Sequence, residues 1–238
     1  MDQKHNWQKT AAWLVHVYTG LGLPLALGAY IALRQQRDAA FFLFLALAVI
    51  IDSTDGYFAR KLRVWEVVPE FDGRKLDDLI DYLNYVFLPV LALLEWELLP
   101  AGWEWIAALP LIASGYGFSQ QIAKTEDSFV GFPSYWNVMV FYLYIFNWGA
   151  WVDAGVVVIL SVLVFVPVHY VYPSKTARLQ RLTIGLASLW GILLVAALFN
   201  FNAPWVPGAM QWSLLFPAYY TVLSLVHHRS QPVRVPGK

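Results

Sequence analysis

No cysteine occurs among the 238 residues, and methionine occurs only three times. Without cysteine the chain can form no disulfide framework, no thiolate metal site and no thiol nucleophile. Its chemistry therefore falls to oxygen and nitrogen groups. Charge is also scarce: Asp, Glu, Lys and Arg make up 13% of the sequence, against about 25% in a soluble domain. The 16 basic and 16 acidic residues cancel, leaving no net field to attract nucleic acid and no polybasic tail for anionic lipid. No nucleic-acid partner is expected. What abounds is apolar. Hydrophobic residues reach 59%, and the mean hydropathy is +0.52. This is the composition of a membrane protein.

About eight runs approach the roughly 20 apolar residues that a helical span needs. They cover about 10–33, 39–60, 76–97, 104–123, 134–151, 154–171, 181–200 and 208–227, the fifth and sixth being short and nearly contiguous. The first is too long for a cleaved signal sequence and lacks a small-residue cleavage site, so it reads as a span. None alternates apolar and polar residues as barrel strands do. The expected fold is all-α, a polytopic transmembrane helical bundle forming a single domain over residues 1–238. Lys and Arg collect on the cytoplasmic side of a membrane. With an even number of spans and both termini inside, only Arg34 and Arg37 of the 16 basic residues fall outside. The expected setting is the bacterial inner membrane, with multiple passes and the chemistry facing the cytoplasm.

Two acidic segments face that side. Asp52-Ser-Thr-Asp55-Gly56-Tyr-Phe-Ala59-Arg60 closes the second run, and Gly73-Arg-Lys-Leu-Asp77-Asp-Leu-Ile-Asp81 opens the third. Spacings of three and four put Asp52, Asp55 and Ala59 on one helical stripe, and Asp77, Asp81 and Asn84 or Tyr85 on another. An acidic residue at a helix end is ordinarily solvated, and Asp77 and Asp78 sit where the helix dipole favours them. Four at these spacings, with the glycines and Ala-Arg beside them, point further. Facing stripes would bring four carboxylates together, and their repulsion needs a cation to offset it. Oxygen-only ligation suits Mg2+ or Mn2+, and four carboxylates can hold two such ions about 4 Å apart. That arrangement fits transfer at a phosphate. Gly56 and Gly73 would admit a nucleotide diphosphate against the backbone, Ala59 would leave room, and Arg60 would offer a fork to a phosphate oxygen.

The pattern D-x2-D-G-x2-A-R, a spacer of twelve residues from Lys61 to Asp72, then G-x3-D-x3-D, resembles that of the CDP-alcohol phosphotransferase family at every fixed position. The resemblance implies that Asp52, Asp55 and Asp77 are metal ligands, and that Asp81 contacts metal and acts as the base for the attacking hydroxyl. Many members have a spacer near eight residues. The longer one resembles that of bacterial members whose acceptor is free choline. So do Val15-His16-Val-Tyr-Thr-Gly20, Gly115-Tyr-Gly-Phe-Ser-Gln120, Lys124-Thr-Glu-Asp127, Gly131-Phe-Pro-Ser-Tyr-Trp-Asn137 and Tyr170-Val-Tyr-Pro-Ser174. The implied reaction is CDP-diacylglycerol plus choline giving phosphatidylcholine and CMP, commonly with manganese, by a homodimer.

Choline is a quaternary ammonium, which proteins hold by aromatic faces. Most of the 12 tryptophans lie near run ends, where an aromatic belt places them. Asn84, Tyr85, Tyr116, Tyr135 and Trp136 are the candidate choline contacts, although each alone also suits packing. The stretch Lys124–Asn137 reads as an ordinary connection or as a lid, with Lys124 near phosphate. Arg178 and Arg181 read as topology signals or as holders of a phosphate or lipid head group. His16 is left to interhelical hydrogen bonding. Related readings keep the chemistry with serine, glycerol phosphate or an inositol phosphate as acceptor. An intramembrane prenyltransferase would lack the Gly-x2-Ala-Arg element, and a transporter would need inverted repeats or broken midplane helices.

Overall fold

Prolines set many of the helix breaks. A proline inside a helix has no N–H for the carbonyl four residues earlier and crowds that carbonyl. Pro24 and Pro217 thus act on Gly20 and Ser213, where helices end in the computed structural model, which describes residues 2–120, 128–171 and 179–230. Helix α1 spans Asp2–Gly20 and α2 spans Gly22–Arg34. Leu21 between them keeps right-handed dihedrals of −61° and −19°, so the path from Asn6 to Arg34 stays helical over 29 residues. Helix α3 (Asp38–Leu62) ends where Arg63 turns left-handed, at φ 47° and ψ 50°. A short α4 (Val64–Val67) leads to α5 (Gly73–Asp81), whose N-cap Asp72 accepts a hydrogen bond from the Lys75 backbone N–H at 3.3 Å.

A π-helical segment, Tyr82–Phe87, follows directly and passes into α6 (Leu88–Glu95). The Leu88 N–H reaches the Leu83 carbonyl, a five-residue step, just ahead of Pro89. The backbone is right-handed at both joints, so the expected run at 76–97 is one helical path from Gly73 to Glu95.

A 3-10 turn (Glu104–Ala107) and α7 (Ala108–Ser119) come next, then β1 (Ser128–Val130), α8 (Trp136–Phe146), α9 (Ala150–Val164) and β2 (His169–Val171). Helices α10 (Gln180–Phe199), α11 (Val206–Ser213) and α12 (Leu215–Ser230) complete the order. The all-helical expectation holds with one addition. Strands β1 and β2 pair antiparallel, Phe129 opposite Tyr170. Gly131 follows at φ +84°, where a Cβ would overlap the Val164 carbonyl, so only glycine fits. Several helices fall short of their expected runs. Helix α7 stops at Ser119 because Gln120 is extended. Helix α8 stops at Phe146 because Asn147 and Gly149 have φ of 45° and 102°.

Among the described residues, three helical stretches are long and apolar enough to cross a membrane: Asn6–Arg34, Asp38–Leu62 and Gln180–Phe199. The last is only 11% buried. Large side chains such as Ile192 and Phe199 stand exposed on it, the surface of a helix solvated by lipid. The chain is a helical membrane protein.

The chain divides into two compact units, Met1–Trp96 with Tyr135–Phe141, and Glu97–Ser134 with Tyr142–Lys238. In the first, small residues let α2 approach α3 closely: a Cβ on Gly28 would lie 2.8 Å from the Phe44 ring. At one end of this pair Arg34 meets Glu95 at 3.3 Å, and the Trp96 indole N–H donates to Asp38 at 3.0 Å. Asp52 lies on α3 about 21 Å along the axis from Asp38. In the second unit a one-way hydrogen-bond chain ties three helices. The Trp190 indole N–H donates to the Tyr142 hydroxyl at 2.8 Å, Tyr142 lies 2.6 Å from the Ser213 hydroxyl, and Ser213 donates to the Met210 carbonyl.

Candidate metal centre

Asp52 and Asp55 stand one turn apart near the end of α3, and Asp77 stands mid-way along α5. Each can offer one oxygen within 4.8 Å of the others, with Asp55 buried and the other two half-buried. Two such charges 4.8 Å apart repel by about 3 kcal/mol at an effective dielectric near 20. A nearby positive group is the Arg60 guanidinium, which acts on Asp55. An oxygen-only set with this unbalanced charge fits a hard divalent cation and could hold one.

Asp81 follows on the same helical path. It is buried one helical turn beyond Asp77, about 6 Å along the axis. Its carboxylate acts electrostatically on the Tyr85 hydroxyl, which itself donates to Asp52 Oδ2 at 2.6 Å. Three aspartates therefore converge, and the fourth lies beside them within reach of the same tyrosine.

The glycines of the motif have identified neighbours. A Cβ on Gly56 would lie 3.1 Å from a guanidinium nitrogen of Arg60, so the arginine folds back across that glycine. Gly73 is covered by the His16 imidazole, whose Cε1 would be 2.6 Å from a Cβ there. His16 also packs on Phe71 at 4.5 Å between ring centroids, and its buried Nε2 has no hydrogen-bond partner among the described residues. Ala59 packs against the cluster of Ala12, Val15, Val64 and Val68. The small residues thus admit neighbouring side chains closely.

The candidate choline contacts fall in both units. Tyr85 is buried and meets Tyr135 edge to face, with centroids 6.1 Å apart and planes at 62°. Asn84 is buried, its amide donating to the Gly22 and Ile80 carbonyls at 3.2 and 3.0 Å. Trp136 is fully buried. Tyr116 belongs to the second unit, half exposed and 5.0 Å from the Phe165 ring. Arg181 is exposed at the start of α10. Lys124 and Arg178 lie outside the described residues.

Sequence reasoning passed over Thr19, whose hydroxyl donates to Asp55 Oδ2 at 2.7 Å in the buried interior. The signal was a polar Tyr18-Thr19 pair inside the first apolar run, where a polar side chain in a span turns toward protein. Tyr18 lies 2.8 Å from the Thr54 hydroxyl of α3.

No family model matches the chain. Single relatives do. The sequence is 39% identical over 228 residues to a phosphatidylcholine synthase of Legionella pneumophila, covering 90% of this chain and 89% of the relative. Identity is 34% over 217 residues with a phosphatidylcholine synthase of Borreliella burgdorferi, covering 90% and 93%. It is 37% over 193 residues with a phosphatidylcholine synthase of Pseudomonas aeruginosa, covering 79% and 81%. Relatives this similar over most of both chains, together with an aspartate trio suited to a divalent cation in a helical membrane protein, lead to one conclusion: the chain is an enzyme and belongs to the phosphatidylcholine synthase family.

Proposed function

We propose that the enzyme transfers the phosphatidyl group of CDP-diacylglycerol to choline, giving phosphatidylcholine and CMP. The convergence of Asp52, Asp55 and Asp77 carries this reading, because these carboxylates could hold the divalent cations that an anionic diphosphate substrate needs as counter-charge. These three residues, with Asp81, would hold two divalent cations, Mn2+ or Mg2+. When bound, such ions offset the charge of the diphosphate and of the departing CMP.

The chain's own residues supply binding and proton transfer. Arg60, lying along Gly56, offers its guanidinium to a phosphate oxygen, with Ala59 and Gly73 flanking the nucleotide. Asp81 accepts the choline hydroxyl proton. The choline oxygen then bonds to the phosphorus bearing diacylglycerol, the diphosphate bridge breaks, and CMP leaves with the bridging oxygen. The exposed Tyr135, backed by Tyr85, gives the quaternary ammonium an aromatic face. Lys124, Arg178 and Arg181 serve phosphate or lipid head groups. The chain acts as one membrane domain of eight spans in the inner membrane, termini and aspartates facing the cytoplasm, and pairs as a homodimer. The Arg34–Glu95 and Trp96–Asp38 contacts gather at the far end of α3 from the aspartates, which supports assigning the two ends to opposite faces of the membrane.

Purified protein given CDP-diacylglycerol, Mn2+ and labelled choline should form labelled lipid and release CMP, while Asp81→Asn should form at least about 100-fold less. Incorporation of serine or another alcohol in place of choline would overturn the acceptor assignment, and absence of CMP release with every alcohol would overturn the transfer itself.

A further inference from the structure

Two hydroxyls outside the aspartate motif hold its first two carboxylates. Thr19 of α1 donates to Asp55 and Tyr85 of the π-helical segment donates to Asp52, each to Oδ2, at 2.7 and 2.6 Å. Their partners lie 36 and 33 residues away in sequence, so both bonds are products of the tertiary fold. We propose that Thr19 and Tyr85 are positioning residues of the metal centre, each aiming one carboxylate of α3 at the cation. The inference rests on the reading of Asp52, Asp55 and Asp77 as metal ligands.

Like charges this close turn away from one another unless something restrains them. A lysine or arginine could restrain them, but its own charge would compete with the cation for the same oxygens. A neutral hydroxyl avoids that competition. It occupies one lone pair of one oxygen and leaves the rest of the carboxylate to ligate. Burial of Thr19 and Tyr85 makes the restraint firm, since a hydrogen bond is electrostatically stronger where solvent is largely shut out.

Both donors are themselves held. Thr54 lies 2.9 Å from the Ile50 carbonyl and donates to it, so the neighbouring Tyr18 hydroxyl donates to Thr54 and fixes the register of α1 on α3. Thr19 is thereby kept opposite Asp55. Tyr85 takes its direction from the π-helical segment, whose wider turn rotates it relative to an α-helical continuation from Asp81. Asn84 stabilises that turn by donating to the Ile80 carbonyl behind it and to Gly22 of α2.

The test uses the full chain in lipid nanodiscs, with Mn2+ as probe and free Mn2+ measured by electron paramagnetic resonance. Thr19→Val and Tyr85→Phe each remove a hydroxyl at nearly constant shape, and Thr19→Ser restores one. Thr19→Val and Tyr85→Phe should each weaken Mn2+ binding by about 10- to 100-fold, the range for partners of metal ligands. Thr19→Ser should stay within about threefold of wild type. Wild-type Mn2+ affinity in both hydroxyl-free variants, with their helical circular dichroism intact, overturns the proposal. So does a raised choline KM for Tyr85→Phe with unchanged Mn2+ affinity. A wild-type protein that binds no Mn2+ overturns the metal reading itself, which is a different result from tight binding by all forms.

Discussion

Alanine in place of Gly22 tests how closely the second aspartate helix must lie against α2. The new Cβ would overlap the Cγ2 methyl of Ile80 and stand 3.8 Å from the Asn84 amide nitrogen. Ile80 cannot turn that methyl aside, because a β-branched side chain in a helix has one dominant rotamer and this one is buried. The helices must separate instead. Forcing a methyl into a packed contact costs about 1–3 kcal/mol, and stretching the 3.2 Å bond from Asn84 to the Gly22 carbonyl adds roughly 1 kcal/mol. Asp81 adjoins Ile80, and a displacement of about 1 Å at a reacting group can cost on the order of 100-fold in rate. Gly22→Ala should therefore lower the unfolding temperature, followed by tryptophan fluorescence, and cut CMP release more than its loss of stability alone explains. Ile80→Ala removes the opposing methyl. Combined with Gly22→Ala it should cost about 1–3 kcal/mol less than the two single changes added together. Wild-type melting and turnover for Gly22→Ala, or strict additivity in the pair, would refute the close-approach argument.

Chelation with EDTA should abolish CMP release and lower the melting temperature, with Mn2+ at about 100 times its Kd restoring roughly 2.7 kcal/mol; unchanged melting would mean that no ion is bound in the folded state. Gly56→Ala should push the Arg60 guanidinium off its seat 3.1 Å from the new Cβ, raising the KM for CDP-diacylglycerol by about tenfold, the effect of losing one charge-assisted bond, while Mn2+ affinity stays at its wild-type value. Tyr142→Phe breaks the hydrogen-bond chain from Trp190 to Met210. It should cost about 1–3 kcal/mol of stability in chemical unfolding with CMP release within about twofold of wild type, and a large activity loss without destabilisation would contradict a purely structural role.

The helical character was legible because apolar composition reports the solvent a segment meets, and each expected run overlaps helical elements, although 134–151 is broken after Phe146 and 154–171 ends in β2. The breaks at Gly20 and Ser213 fall four residues before Pro24 and Pro217, but the expected runs 10–33 and 208–227 merge each pair of helices into one span. Other features escape a reading of apolarity. Left-handed backbone at Asn147 ends α8 at an Asn-Trp-Gly stretch, a turn signal that a count of apolar residues passes over, and three-residue strands are too short to show a period. The π-helical segment is an apolar-aromatic stretch indistinguishable by composition from its α-helical neighbours.

At the site, the division falls between local and tertiary geometry. The convergence of Asp52 with Asp55 follows from a three-residue spacing on one helix, and Asp77 joins them because two helix ends meet. Asp81 follows one turn after Asp77 on the same stripe, about 6 Å along the axis, and its carboxylate bears on the Tyr85 hydroxyl beside the trio. Tyr85 was picked out for its ring, whereas its hydroxyl is what touches a motif aspartate. Thr19 comes from the first helix of the chain and its role depends on how α1 lies against α3. Helical periodicity can therefore specify which carboxylates share a face, but the donors that aim those carboxylates come from other helices. A substitution at Thr19 or Tyr85 should alter metal affinity while leaving every letter of the aspartate motif in place, so the motif alone is insufficient to define a competent centre.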